Sequence, residues 1–449
     1  MSSGQSAKTV AVVGAGTMGA GIAQVAATHG CIVHLLDVNE QVLRRGVESI
    51  QKNLDRAVEK GKLRGRDRDA IIARISPRVE ALEFADTPSP RPLPRERERG
   101  VEDEAAEPDP LIEWGRAVAS HTLQEVDIAI EAVVENLDVK RRVFQGLERA
   151  TPPTAVLATN TSSLSVSKIA EAVRDPSRVV GMHFFNPAPL MPLVEVIAGR
   201  QSSAAGLDRA FAAAKEWGKV AVRAKDTPGF IVNRVARGFY LEALRLLGEG
   251  VAGVDEIDLV MRTHAGFRMG PFELMDLIGV DVNLAVSTSV WEQMDKHPRF
   301  APHPIQRQLA AAGHLGRKTG RGFYLYAEDR RIPACAVDRR SFTVDPKLAD
   351  VMTAFCQRSG ALGAMSTERL VLARILAAII NEAGFARDED VATAEDIDVA
   401  MVKGTNYPKG PLAWAEAIGP RTVRGALRAL NASVGDGRYE AAKLFAEAK

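Results

Sequence analysis

The chain has 449 residues, long enough for about three domains of ordinary size and a substantial core. Lys and Arg (58) nearly balance Asp and Glu (57), and aromatic residues make up 5%, so neither a global field nor stacking platforms point to nucleic acid or an anionic membrane. The three cysteines, Cys31, Cys335 and Cys356, are scattered without CxxC spacing; a disulfide framework is excluded and no metal is expected.

In chain order, Lys8–Val13 is a β-branched run that stops at glycine. Thr17–His29 then carries Met18, Ile22, Val25 and Ala26 at helical spacing and is closed by Gly30. Cys31–Leu36 is a second apolar run ending at Asp37, which completes a βαβ unit. Further strands are expected at Asp127–Ala132, Ala155–Ala158, Val179–Phe185 and Val194–Ala198, with helical stretches between most of them. That alternation predicts an α/β domain with a largely parallel sheet covered on both faces. Asp86–Pro110 interrupts it with six prolines and the charged run RERERG, and reads as an exposed insertion. Apolar runs such as Ile375–Ile380 are too short to span a bilayer, and MSSGQSAK holds no apolar signal core. The expected setting is cytoplasmic, with no membrane partner.

After Asp226 the pattern is mostly helical and contains a repeat. Val254–Gly279 matches Ala394–Gly419 at a constant offset of 140, with identities that include Ile257/Ile397, Asp258/Asp398, Gly270/Gly410, Pro271/Pro411 and Gly279/Gly419. The same offset pairs Arg234 with Arg374 and Glu242 with Glu382. The expected domains are 1–224, 225–328 and 366–449, the last a degenerate copy of the second, joined by a connector at 329–365.

Gly14-Ala15-Gly16-Thr17-Met18-Gly19 is GxGxxG set between a strand and a helix. The first glycine permits the tight turn, the second lets a pyrophosphate approach the backbone, and the third allows helix and strand to pack closely. Asp37 at the next strand end suits the adenosine ribose hydroxyls and would repel a 2′-phosphate, favouring NAD over NADP. FAD shares the fingerprint, so the motif alone leaves a flavin open. A second candidate site lies in HFFNPAPLMPLVEVI, where His183 ends an apolar run and Glu195 follows on the next strand. Taken alone, a histidine at a strand end is more often structural than catalytic. With a carboxylate to hold one tautomer, it becomes a general base.

These stretches, with IEAVVENLDVK, ATNTSSLSV, KDTPGFIVNRV, GPFELMDLIG and LGRKTGRGFY, resemble the NAD-dependent 3-hydroxyacyl-CoA dehydrogenase family. The two-copy layout is similar to the bacterial branch that contains 3-hydroxybutyryl-CoA and 3-hydroxyadipyl-CoA dehydrogenases. The resemblance implies a Rossmann-type domain followed by two all-α, 6-phosphogluconate-dehydrogenase-like domains. It also implies NAD as cofactor, an acyl-CoA substrate, and a place in β-oxidation, butanoate or phenylacetate breakdown. By the same resemblance His183 is the base, Glu195 orients it, Ser162 bonds the substrate oxygen near the nicotinamide, and Asn233 positions the substrate. Glu135, Lys140, Asn186 and Lys318 match cofactor contacts, and Lys60 matches a CoA-binding lysine. Taken by themselves, Glu135 and Lys140 also fit a solvated helix face, and Lys60 an ordinary surface lysine.

At the offset of 140, Asn233 becomes Ala373, Pro228 becomes Glu368 and Gly229 becomes Arg369. One active site per chain is therefore expected, built with the first copy. In single-copy relatives the helical domain forms the dimer contact, so the second copy is expected to pack on the first as an internal imitation of it; a homodimer is a further expectation. Arg268 and the run Arg262-Thr263-His264 depart from the family pattern. The alternatives are a dehydrogenase of the same plan acting on a hydroxyacid without CoA, and a non-catalytic NAD-binding protein.

Overall fold

The computed structural model describes residues 8–79, 123–327, 330–335, 344–361, 363 and 365–447. The insertion read at 86–110 lies outside them. Two compact units divide after Ala221.

The first unit is built on a sheet of order β3-β2-β1-β4-β5-β6-β7-β8. The strands of this sheet are β1 (Thr9–Val13), β2 (Ile32–Asp37), β3 (Ile75–Val79), β4 (Ile128–Glu131), β5 (Val156–Thr159), β6 (Val179–Phe184), β7 (Leu193–Ala198) and β8 (Val220–Lys225), the division after Ala221 falling within β8. Helices α1 (Thr17–Thr28), α2 (Glu40–Glu59), α3 (Gly65–Ala73), α4 (Leu137–Ala150), α5 (Val166–Ala170) and α6 (Ala204–Glu216) connect them. β1 pairs in parallel with β2 and β4, placing the point where strand order reverses at the end of β1. Val10, Val12, Val33, Leu35, Ile128 and Ile130 form the core beneath it. β6 and β7 pair antiparallel, a departure from the parallel pattern, because a short loop and not a helix joins them. Sequence periodicity does not reveal β3, whose ISPRV run holds a proline. Proline is tolerated there because, among the described residues, β3 lies at the edge of the sheet.

The second unit is helical: α7 (Val232–Val235), α8 (Arg237–Gly248), α9 (Val254–Thr263), α10 (Pro271–Ile278), α11 (Val280–Gln293), α12 (Pro304–Ala311), α13 (Pro346–Ser359), α14 (Ser366–Asp388), α15 (Ala394–Thr405), α16 (Pro411–Ile418), α17 (Pro420–Val434) and α18 (Lys443–Ala446). A hairpin of β9 (Tyr324–Ala327) and β10 (Arg330–Pro333) follows α12. The stretch expected to be a connector contains α13, which packs on α14 and α17. Among the described residues no single helix is long and apolar enough to cross a membrane.

The repeat has a physical cause. Asp258 accepts from Phe272 N and Glu273 N at 2.9 Å each, and Asp398 accepts from Leu412 N and Ala413 N at 2.7 and 2.8 Å. Each aspartate thus satisfies two unpaired donors at the start of the next helix. It leaves no room for a side chain at the helix entry: a Cβ would lie 2.3 Å from Asp258 at Gly270 and 2.2 Å from Asp398 at Gly410. The copies differ where Pro228 and Gly229 give way to Glu368 and Arg369. In the first, Gly229 and Phe230 both take positive φ (77° and 48°) and the helix begins late; in the second, α14 runs unbroken. A non-glycine residue at positive φ is strained, and such strain gathers at functional sites.

The copies pack on each other through α8 and α14, with reciprocal ion pairs. Arg234 Nε lies 2.6 Å from Glu382 and its Nη1 2.6 Å from Glu389, while Arg374 Nε lies 2.7 Å from Glu242 and its Nη2 3.1 Å from Glu249. Glu249 and Glu389 are themselves related by the offset. Burial alone would raise the Glu242 carboxyl, but the charges of Arg374, Arg245 and Arg438 and a hydrogen bond from Tyr439 outweigh it and hold it at about 2. Its stabilisation is therefore complete above about pH 4.5 and is lost as the pH falls towards 2. Arg374→Ala leaves Glu242 buried beside an empty site, and is expected to cost about 3–5 kcal/mol in urea unfolding at pH 7.

Candidate active site

The carboxyl ends of β1, β2, β4, β5 and β6 each supply part of the site. Gly14 follows β1 at φ 97°, and a Cβ on it would lie 2.6 Å from the Ala132 carbonyl after β4. A Cβ on Gly19 would meet the Gly14 carbonyl at 1.7 Å, so the third glycine lets α1 lie against the turn. Gly16 differs: its φ is −63°, and a Cβ there meets nothing within 4 Å. Nothing in the protein requires a glycine at that position, so the open space is available to a ligand. α1 also begins without a side-chain cap or an acidic residue in its first turn, whereas α2, α4, α5 and α6 are capped by Asn39, Asn136, Ser165 and Ser203. Uncapped N–H groups above an open glycine fit a pyrophosphate. Asp37 is held at the end of β2, its carboxylate accepting from Ala15 N at 2.8 Å and Asn39 N at 2.9 Å. Thr17 is exposed and Met18 half-buried beside this turn.

After β4 and β5 a polar network forms. Lys140 is 1% exposed and bonds Glu131 at 2.7 Å and Glu135 at 3.2 Å, so it does not lie on a solvated helix face. Glu131 also accepts from Thr159 Oγ1 at 2.7 Å. Glu135 Oε1 accepts from Thr161 Oγ1 at 2.7 Å, from Ser162 N and Ser163 N at 3.0 Å each, and from Ser163 Oγ at 3.0 Å. Burial would raise its carboxyl, but the Lys140 charge and these hydrogen bonds hold it at about 2. Glu135 thereby shapes the turn that carries Ser162. Glu131 and Thr159 fall within the IEAVVENLDVK and ATNTSSLSV stretches, but their places in strands give no sign of this role.

His183 and Glu195 stand directly opposite in the β6–β7 register, and His183 Nδ1 lies 2.7 Å from Glu195 Oε2. Glu195 is fully buried and His183 is 5% exposed. Asn160 Oδ1 accepts from Phe184 N at 2.8 Å, tying the end of β5 to the histidine's strand. Lys219 Nζ donates to the Ala188 and Met191 carbonyls at 2.5 and 2.8 Å, pinning the loop that carries Asn186. Asn160 falls within ATNTSSLSV without a distinct role legible in the residues, and Lys219 lies outside every motif stretch. Lys60 caps α2 and is exposed. In the second unit Asn233 lies in α7 and is half-buried, while Lys318 pairs with Asp281 at 2.7 Å.

The family model described as "3-hydroxyacyl-CoA dehydrogenase, NAD binding domain" matches residues 9–88 and 95–227. The one described as "3-hydroxyacyl-CoA dehydrogenase, C-terminal domain" matches twice, at 229–326 and 370–448. The chain belongs to the 3-hydroxyacyl-CoA dehydrogenase family. It is 34% identical to the 3-hydroxyadipyl-CoA dehydrogenase of Escherichia coli K12, over 98% of this chain and 96% of that one. A probable 3-hydroxybutyryl-CoA dehydrogenase of Bacillus subtilis is 37% identical over 98% of its own length but 72% of this chain. A crystal structure of an E. coli 3-hydroxybutyryl-CoA dehydrogenase superposes with a TM-score of 0.80 at 34% identity, covering 99% of this chain and 98% of that one. This member of the family is an NAD-dependent oxidoreductase of Rossmann type, with a helical C-terminal portion.

The two loop glycines make separable predictions. Gly14→Ala is expected to lower the melting temperature, because the left-handed turn and the Ala132 carbonyl both oppose a side chain. Gly16→Ala is expected to leave melting unchanged and to weaken NADH binding about tenfold or more, read by fluorescence titration.

Proposed function

We propose that the chain catalyses the reversible oxidation of (S)-3-hydroxyacyl-CoA to 3-oxoacyl-CoA, with His183 as the proton acceptor. The buried His183–Glu195 pair at the carboxyl end of the sheet carries this reading. With Nδ1–H donating to Glu195, Nε2 is the basic nitrogen of the neutral ring, and it takes the proton of the 3-hydroxyl. The imidazolium that results shares its charge with a carboxylate already in hydrogen-bond contact. No reorganisation is needed as the charge develops.

Bound NAD supplies the hydride acceptor for carbon 3. Gly14, Ala15, Gly16, Thr17, Met18 and Gly19 would hold its pyrophosphate and Asp37 its ribose, with Glu135, Lys140, Asn186 and Lys318 as further contacts. Ser162 donates to the substrate oxygen from the turn that Glu135 shapes. Asn233 positions the acyl group, and Lys60 meets a phosphate of CoA with its exposed ammonium. The acyl-CoA class is common to the relatives' names, which differ in the acyl group.

His183→Ala is expected to lower kcat by roughly 10²–10⁴-fold while NADH still binds. Glu195→Gln keeps the shape of the pair but removes the charge that stabilises the imidazolium, and should lower kcat in the same direction. Reduction of acetoacetyl-CoA, followed by loss of NADH absorbance, reads both. Near-normal turnover by His183→Ala would refute the assignment.

A further inference from the structure

The helical unit buries a guanidinium for which the reading above has no use. Arg237, the first residue of α8, is 3% exposed. Its Nε donates to the Asn233 carbonyl at 2.9 Å, and Nη1 donates to the Asn283 carbonyl at 3.3 Å and to Ser287 Oγ at 2.9 Å. The guanidinium lies 4.9 Å from the centre of the Tyr240 ring. Among the described residues no carboxylate pairs with it, and Nη2 keeps both N–H donors without an acceptor. Arg234 and Arg374, equally buried, each hold two glutamates. An unneutralised buried cation is expensive and calls for a reason.

The duplication supplies an internal control. At the offset of 140, Arg237, Tyr240, Asn283 and Ser287 become Ala377, Ile380, Val423 and Leu427, all fully buried. The same helix packing is thus satisfied by apolar side chains in the second copy, so packing does not require the polar set. What distinguishes the first copy is Asn233, whose carbonyl Arg237 touches and whose equivalent is Ala373.

We infer that Arg237 receives the terminal carboxylate of a dicarboxylic acyl chain, so that the enzyme selects 3-hydroxyadipyl-type thioesters over monocarboxylic ones. This rests on the reading of Asn233 as the residue that positions the acyl group. The terminal carboxyl carbon of a six-carbon diacid lies only three carbon–carbon bonds from carbon 3, and the Arg237 guanidinium reaches back to within 2.9 Å of the Asn233 carbonyl, so the two ends of so short a chain call for groups this close together. The Nη2 donors complete the guanidinium's hydrogen bonding on a carboxylate, which supplies the missing counter-charge.

The test compares (S)-3-hydroxyadipyl-CoA with (S)-3-hydroxyhexanoyl-CoA, which has the same carbon count and no terminal charge, using the full-length enzyme and NAD. The parent is expected to favour the diacid by about 30-fold or more in kcat/KM, and Arg237→Ala, the residue of the second copy, to bring the two within about threefold. Arg237→Lys keeps a charge and should retain part of the preference. Equal kcat/KM for both esters in the parent overturns the inference while leaving the proposed dehydrogenase intact. So does a folded Arg237→Ala that keeps the preference, or one that loses activity on both esters in proportion. Should neither variant fold by circular dichroism, the parent's ratio decides. Turnover of neither ester by the parent would overturn the proposed function itself.

Discussion

A fully buried carboxylate beside an imidazole is the constraint on which the rest of the first unit depends. Glu195 has no contact with solvent, and the His183 ring is held against it at hydrogen-bond distance. The sheet meets that need by reversing direction between β6 and β7, so that residues twelve apart in sequence face each other across one ladder. A slip of one residue would turn one member of the pair to the opposite face of the sheet. The prolines of the reversing loop and the two carbonyls gripped by Lys219 keep the register from drifting.

The neighbouring loops follow the same logic of fixing backbone through charged side chains. Lys140, buried between Glu131 and Glu135, lets Glu135 collect the N–H groups of the turn after β5. Ser162 is thus presented by a turn that a carboxylate organises. At the glycine loop the opposite holds: side chains are withheld, and the backbone of α1 faces outward with its first donors uncapped.

Much of this was legible in the residues. The βαβ unit, the glycine fingerprint, Asp37 and the His183–Glu195 spacing are short patterns that can be read within a few tens of residues of sequence. β3 escaped because a proline masks an edge strand, and α13 because it lies in a stretch without a counterpart in the repeat. The burial of Lys140 was not legible, since a lysine in an amphipathic helix looks the same whether its neighbours are water or two glutamates. Asn160 and Lys219 act on backbone groups distant in sequence, and single hydrogen bonds of that kind leave no periodicity. The repeat gave the identities Arg234/Arg374 and Glu242/Glu382, but only the fold reveals that each arginine reaches across to the other copy's glutamate.

That crossed pairing changes what dilution can do to the molecule. Two halves that clasp one another along a single polypeptide meet at an effective concentration set by the tether, and no loss of protein from solution lowers it. A partner that can never leave has no need of its own chemistry. The second copy carries Ala373 where the first has Asn233 and an entry helix without the break, yet keeps the arginine and glutamates that meet its twin.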